Sequence, residues 1–157
     1  MPVVRATASI DVPIAHAWTG LTDLSSYCAW NPFIPHIDGL QGPLGVGSAF
    51  CLEVKWLDGS GSVKAEERVT VFQPPASGPD GVRRAVFSYA PTGLLARLWL
   101  VRAGRTHVLT QRPGGPTLYE TEERFTGALA ALVPLRKVQA GFDAQTAAMK
   151  ERLESTT

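Results

Sequence analysis

The chain has 157 residues, of which 45% are apolar and 18% charged, the composition of one globular domain spanning residues 1–157. A formal charge of +1 without any basic or acidic run argues against nucleic acid as a partner. The sequence contains no apolar run of ~18 residues and no charged-then-apolar leader, so neither a membrane span nor a secretory signal is expected and a cytoplasmic location is the default.

Residues 3–10 are β-branched or small and predict a first strand. Asp11-Val12-Pro13 reads as a helix start, with Asp11 or a neighbour as cap. Ile14, Ala17, Trp18 and Leu21 recur at helical spacing, which predicts a short amphipathic helix. A second short helix runs through Tyr27 to Trp30, and Asn31-Pro32 ends it.

From there to Gly127 the pattern is that of strands. Phe50, Leu52, Val54 and Trp56 alternate with Cys51, Glu53, Lys55 and Leu57, a half-buried strand, and Asp58-Gly59-Ser60-Gly61 supplies a hairpin turn. Strands are expected at 62–72, ended by Pro74-Pro75, at 82–89, at 95–111 with a bulge at Gly104, and at 117–126. Beyond Gly127, the residues Leu135, Val138, Phe142, Gln145, Met149 and Leu153 mark one long helix over 134–154, roughly 30 Å at ~1.5 Å per residue. The order is a strand, two short helices, about six antiparallel strands and one long helix. This is an α+β architecture: a curved, seven-stranded antiparallel sheet around the last helix, with space for an internal cavity.

Two segments resemble a known family. Asp11-Val12-Pro13 with Ala17-Trp18, Leu21-Thr22-Asp23 and Trp30-Asn31-Pro32-Phe33-Ile34 is similar to the opening of the polyketide cyclase/dehydrase branch of the START-like (SRPBCC) superfamily. The close, residues 119–127 (YETEERFTG) followed by Phe142 and residues 150–154 (KERLE), is similar to the same branch. The resemblance implies the helix-grip fold, with a deep cavity for an apolar ligand between sheet and helix. Members include lipid and hormone carriers, plant ligand-binding proteins and aromatic polyketide cyclases. The branch shares no catalytic motif, so the resemblance brings a cavity and no catalytic residue.

The residues themselves carry no familiar catalytic pattern. The glycines of residues 42–47 lack the Lys-Ser/Thr of a phosphate loop. His16, His36 and His107 have no ligand-spaced partners, and Cys28 and Cys51 read as small packed hydrophobes; neither a metal nor a cofactor is implied. The candidate ligand-binding set is aromatic, with Trp30, Phe33, Phe50, Trp56, Phe87, Tyr89, Tyr119 and Phe142 on elements that surround the cavity, together with Met149. Plain core packing is the alternative for each. Among polar residues, strand phase puts Glu67, His107 and Glu123 on the inward face, with His107 opposite Glu123 or Thr121. His107 and Glu123 are therefore the candidates for acid–base work or for anchoring a ligand oxygen. Arg97, Arg102 and Arg105 either steer an acidic head group at the mouth or form a solvated face. The apolar stretch at 94–100 suits a lid, a dimer contact or core.

Three functions stand open: binding a small hydrophobic ligand (lipid-, quinone- or polyketide-like), a cyclase/dehydratase-type enzyme using the same cavity, and a protein-interaction domain. A packed interior with no pocket above ~300 Å³ favours the third and counts against the first two. Monomer and homodimer both remain open. Gly141 costs about 1 kcal/mol in a helix interior relative to alanine, so the sheet or a ligand is expected to approach the long helix closely there.

Overall fold

The computed structural model describes residues 1–98 and 100–156, with Leu95 and Arg97 given by backbone alone. The chain runs β1 (Val3–Ile10), α1 (Ile14–Thr22), α2 (Tyr27–Trp30), β2 (His36–Asp38), β3 (Ala49–Lys55), β4 (Ser62–Ser77), β5 (Arg83–Pro91), α3 (Leu94–Arg97), β6 (Arg102–Gln111), β7 (Thr117–Thr126) and α4 (Leu135–Ser155). The strands form one seven-stranded antiparallel sheet in the order β1-β7-β6-β5-β4-β3-β2. Only β1 crosses over, pairing β7 and so placing the first strand beside the last.

Alternation sets the two faces of the sheet. On β7, Thr117, Tyr119, Thr121 and Phe125 are buried, while Leu118, Glu120 and Arg124 point to solvent. The helix α4 lies across the inward face and buries Val138, Phe142, Gln145, Met149 and Leu153 at three- and four-residue intervals. Each buried large apolar side chain of that stripe contributes roughly 1.5–3 kcal/mol. α4 also reaches the outer edge of β1, where Gln139 Nε2 donates to the Arg5 carbonyl at 2.7 Å and Lys150 Nζ to the Ser9 carbonyl at 2.6 Å. Among the described residues, no helix is long and apolar enough to cross a membrane.

Five local expectations are corrected. Residues 95–111 do not form one strand: Leu94–Arg97 is a helical turn, with Leu98 N donating to the Leu94 carbonyl at 2.9 Å, and the strand begins at Arg102. Leu, Ala and Arg all favour helix, and the apolar run has no alternation to oppose it; Trp99 lies outside the described residues. β4 does not stop at Pro74-Pro75 but continues to Ser77 through an irregularity between Gln73 and Ala76. β3 pairs only as far as Arg68, so the prolines sit where one side of β4 has no partner and needs no N–H. The bulges lie in β4, the other between Val69 and Val71, and the β6–β7 register runs unbroken through Gly104. Asp11 does not cap α1; Gln111 Oε1 accepts from the Ile14 N–H at 3.0 Å instead. Cys28 is exposed rather than packed, because it lies on the outer side of α2.

The turn after α2 carries Phe33 into the interior. Buried Asn31 accepts through Oδ1 from both Phe33 N (3.0 Å) and Ile34 N (2.9 Å). Asn31→Ala leaves two buried N–H groups unpaired and is expected to cost about 2–3 kcal/mol in chemical denaturation.

Candidate functional site: a cavity between the sheet and the long helix

A cavity of about 280 Å³ lies between the curved sheet and the start of α4. Its wall is mostly apolar, with Leu52, Val54 and Trp56 from β3, Val63 and Ala65 from β4, Phe33 and Ile34 from the turn after α2, and Val133, Pro134 and Val138 from the approach to and first turn of α4. An engineered cavity of about 150 Å³ holds benzene, so this space suits a compact ligand of about two rings. At the mouth, Lys137 joins α4 to the β3–β4 hairpin: its Nζ donates to Ser60 Oγ at 2.6 Å, sits 3.1 Å from Asp58 Oδ2 and lies 6.0 Å from the Trp56 ring centroid.

The polar end of the cavity is built by register. Tyr89 on β5, Arg105 on β6 and Glu123 on β7 are direct neighbours across three strands, and all three line the wall. Neighbouring strands are about 4.8 Å apart, so one hydroxyl, one guanidinium and one carboxyl form a short row. Glu67 of β4 occupies the next inward position, two residues from Val69, which faces Tyr89.

Arg105 is 3% exposed and braced from two sides. Its Nε donates to Thr121 Oγ1 at 3.3 Å, its Nη2 donates to Gln145 Oε1 of α4 at 3.0 Å, and its Cζ stands 3.9 Å from the centre of the Phe142 ring. A guanidinium stays charged at any ordinary pH, and it makes no ion pair among the described residues. The Glu67 carboxyl is 8% exposed, and its Oε2 is buried with no hydrogen-bond partner. Burial pushes this carboxyl up to about 8, with Glu123 adding to the rise and Arg105 opposing it. The Glu123 carboxyl is also raised by burial, against the pull of Arg105. Near neutral pH the cavity therefore holds one fixed cation and two carboxyls reluctant to ionise.

His107 stands behind this row. It faces Phe87 on one side and Thr121 on the other in the sheet register, so the direct contact with Glu123 does not form. Its ring stacks between Phe87 (5.8 Å) and Tyr119 (5.9 Å), and Nδ1 is 2.8 Å from the Tyr119 hydroxyl. Burial first, and then the nearby Arg105 charge, hold it well below its ordinary pKa, so it is neutral.

Of the residues singled out in the sequence, Phe33, Trp56, Glu67, Tyr89 and Glu123 line the cavity. Phe50, Phe87, His107, Tyr119, Phe142 and Met149 pack in the core around it, and Trp30 is half-buried against Tyr27. Arg105, which the sequence alone places on a solvated face or at the mouth, is buried and lines the cavity. Its signal was present: it shares the strand phase of His107 and Leu109. Arg102 is exposed, and the Arg97 side chain lies outside the described residues.

No family model and no curated protein matches the chain; the likeness is to solved structures. An aromatase/cyclase, Zhui of Streptomyces sp. R1128, is 14% identical with a TM-score of 0.71, over 98% of this chain and 93% of that one. Major latex-like protein 151 of Panax ginseng is 11% identical with a TM-score of 0.66, over 99% and 96%. Norcoclaurine synthase of Thalictrum is 11% identical with a TM-score of 0.61, over 99% and 95%. The likeness extends over almost the whole chain, and the chain has the helix-grip fold of the START-like (SRPBCC, Bet v1-like) proteins, with polyketide aromatase/cyclases among its structural neighbours.

Proposed function

We propose that the protein binds a small, mainly apolar ligand, lipid-, quinone- or polyketide-like in character, in the cavity between the sheet and α4. The observation that carries this reading is an apolar space of about 280 Å³ whose only strongly polar wall is the Glu67–Tyr89–Arg105–Glu123 cluster. At about 280 Å³ the cavity falls just short of the ~300 Å³ at which ligand pockets begin, so its apolar lining and single polar end carry the reading rather than its size. The space favours a compact, ring-shaped ligand over a long acyl chain. Phe33, Trp56 and Tyr89 supply flat surfaces for rings, and the polar row fixes which end enters first.

Native mass spectrometry of protein purified from its own host tests the reading. A co-purified mass that disappears in Ala103→Trp, which fills the cavity from β6, is the expected result. A wild-type spectrum of bare protein, together with no displacement of an environment-sensitive aromatic dye, counts against it.

A second reading, catalysis of proton transfer on the bound molecule, is favoured by one observation. Two carboxyls with raised proton affinity flank a guanidinium, an arrangement that can exchange a proton near neutral pH. Here Glu123 is the proton acceptor and Arg105 stabilises the charge that develops on oxygen. His107, neutral and stacked behind Arg105, is a positioning residue. Glu123→Gln separates the readings: lost turnover with retained affinity means catalysis, and weakened affinity alone means anchoring.

A further inference from the structure

The polar row also restricts the chemical class of the ligand, and this inference rests on the cavity-binding reading above. Arg105 has two of its donor groups committed to Thr121 and Gln145, and it stands in register with Glu123 on its β7 side. Glu67 offers a buried carboxyl oxygen without a protein partner, on the same cavity wall. We propose that this cluster receives a neutral oxygen function, the hydroxyl or ketone of a ring system, and selects against carboxylates such as free fatty acids.

The reason lies in the sum of charges. One guanidinium can balance only one carboxylate, and Glu67 and Glu123 already place two carboxyls on the same wall, so at least one of them keeps its proton. A phenolic hydroxyl fits that arrangement without changing it: its oxygen accepts from a protonated carboxyl or the guanidinium, and its O–H donates a hydrogen bond to a carboxyl oxygen of the same wall. A ketone uses the donor side alone. A ligand carboxylate instead brings a third carboxyl group to one buried cation, in a place with too little water to screen the repulsion. It must either be protonated or force a proton onto the second wall carboxyl. Arginine in a pocket is often read as a mark of acidic ligands; here the two flanking carboxyls reverse that reading.

The test uses three probes of one shape at pH 7: naphthalene, 2-naphthol and 2-naphthoate, followed by calorimetry or by their own fluorescence. 2-Naphthol is expected to bind at least tenfold more tightly than 2-naphthoate. In Glu123→Gln, which keeps the shape and removes one of the two carboxyls, the affinity for 2-naphthoate relative to naphthalene is expected to rise at least tenfold. Wild-type protein that binds 2-naphthoate as tightly as 2-naphthol overturns the proposal without any variant. Naphthalene binding as well as 2-naphthol overturns it too, while leaving the cavity-binding reading intact. Failure of all three probes removes the cavity-binding reading and this inference with it.

Discussion

Glu67→Gln is expected to abolish a loss of stability that the wild-type protein shows as pH rises from about 6.5 to 8. The ordinary value for this carboxyl is 4.5 and in the folded protein it is about 8. Between these values the folded state holds a proton that the unfolded chain has released. Stability is then full below about 4.5 and declines as pH climbs through the folded value. At about 1.4 kcal/mol per pH unit, the interval corresponds to several kcal/mol. His107 works in the opposite sense: it is neutral when folded, so the unfolded chain takes up the extra proton as pH falls below about 6.5. The two contributions offset each other from about pH 4.5 to 6.5, which predicts a plateau there and a fall on its alkaline side. Thermal denaturation at pH 5 and pH 8 reads the effect. Glu67→Gln should melt at least about 4 °C above wild type at pH 8 and within about 2 °C of it at pH 5. Equal wild-type melting temperatures at both pH values would show that Glu67 ionises freely.

Gly141→Ala is expected to destabilise the protein, although alanine is the better helix former. A Cβ at Gly141 would stand 2.1 Å from Cδ2 and 2.3 Å from Cε2 of Phe33. Phe33 has little freedom to retreat, since its N–H is held by Asn31 and its ring packs 6.0 Å from Phe142 and 6.3 Å from Trp56. The helix gains up to about 1 kcal/mol from alanine, and the forced displacement costs about 1–3 kcal/mol in an already filled core. With the overlap this deep, the upper half of that range applies, and a net loss of about 1–2 kcal/mol should lower the melting temperature by about 2–8 °C. Phe33 is also cavity wall, so affinity for an aromatic probe should fall about tenfold. Adding Phe33→Leu should recover part of the stability, a coupling that a double-mutant cycle measures. A Gly141→Ala protein that melts at or above the wild-type temperature would show that the ring moves aside freely.

These two residues illustrate how much of the molecule was legible in the sequence. Gly141 stands out because glycine inside a helix demands a reason; the reason is close approach, made by Phe33 from the turn after α2 and not by the sheet or a ligand. β1, α4 and β7 were legible because each keeps one period along its whole length. Glu67 and Glu123 followed from phase alone. Arg105 did not, although its phase was visible, because an arginine is assigned to solvent unless its partners are known. Those partners, Thr121 and Gln145, are 16 and 40 residues away and meet it only after β7 and α4 have folded onto β6. The same distance hid the fate of His107, which phase placed inward and which Phe87 and Tyr119 then sealed from the cavity. The helical turn at Leu94–Arg97 was illegible for a different reason: a short, uniformly apolar run fits either period.

The way α4 grips β1 has a consequence for how the sheet meets other chains. An edge strand normally exposes a row of carbonyls and N–H groups that a foreign strand can template on. Here Gln139 and Lys150 already occupy the Arg5 and Ser9 carbonyls, and α4 runs alongside. The opposite edge is the three-residue β2, too short to seed an extended ladder. The remaining open length, the far half of β4, carries Pro74 and Pro75, which cannot donate. Among the described residues, the margins at which a foreign strand could add are therefore capped, truncated or deprived of donors, and this curved sheet presents no long open edge for a second chain to extend.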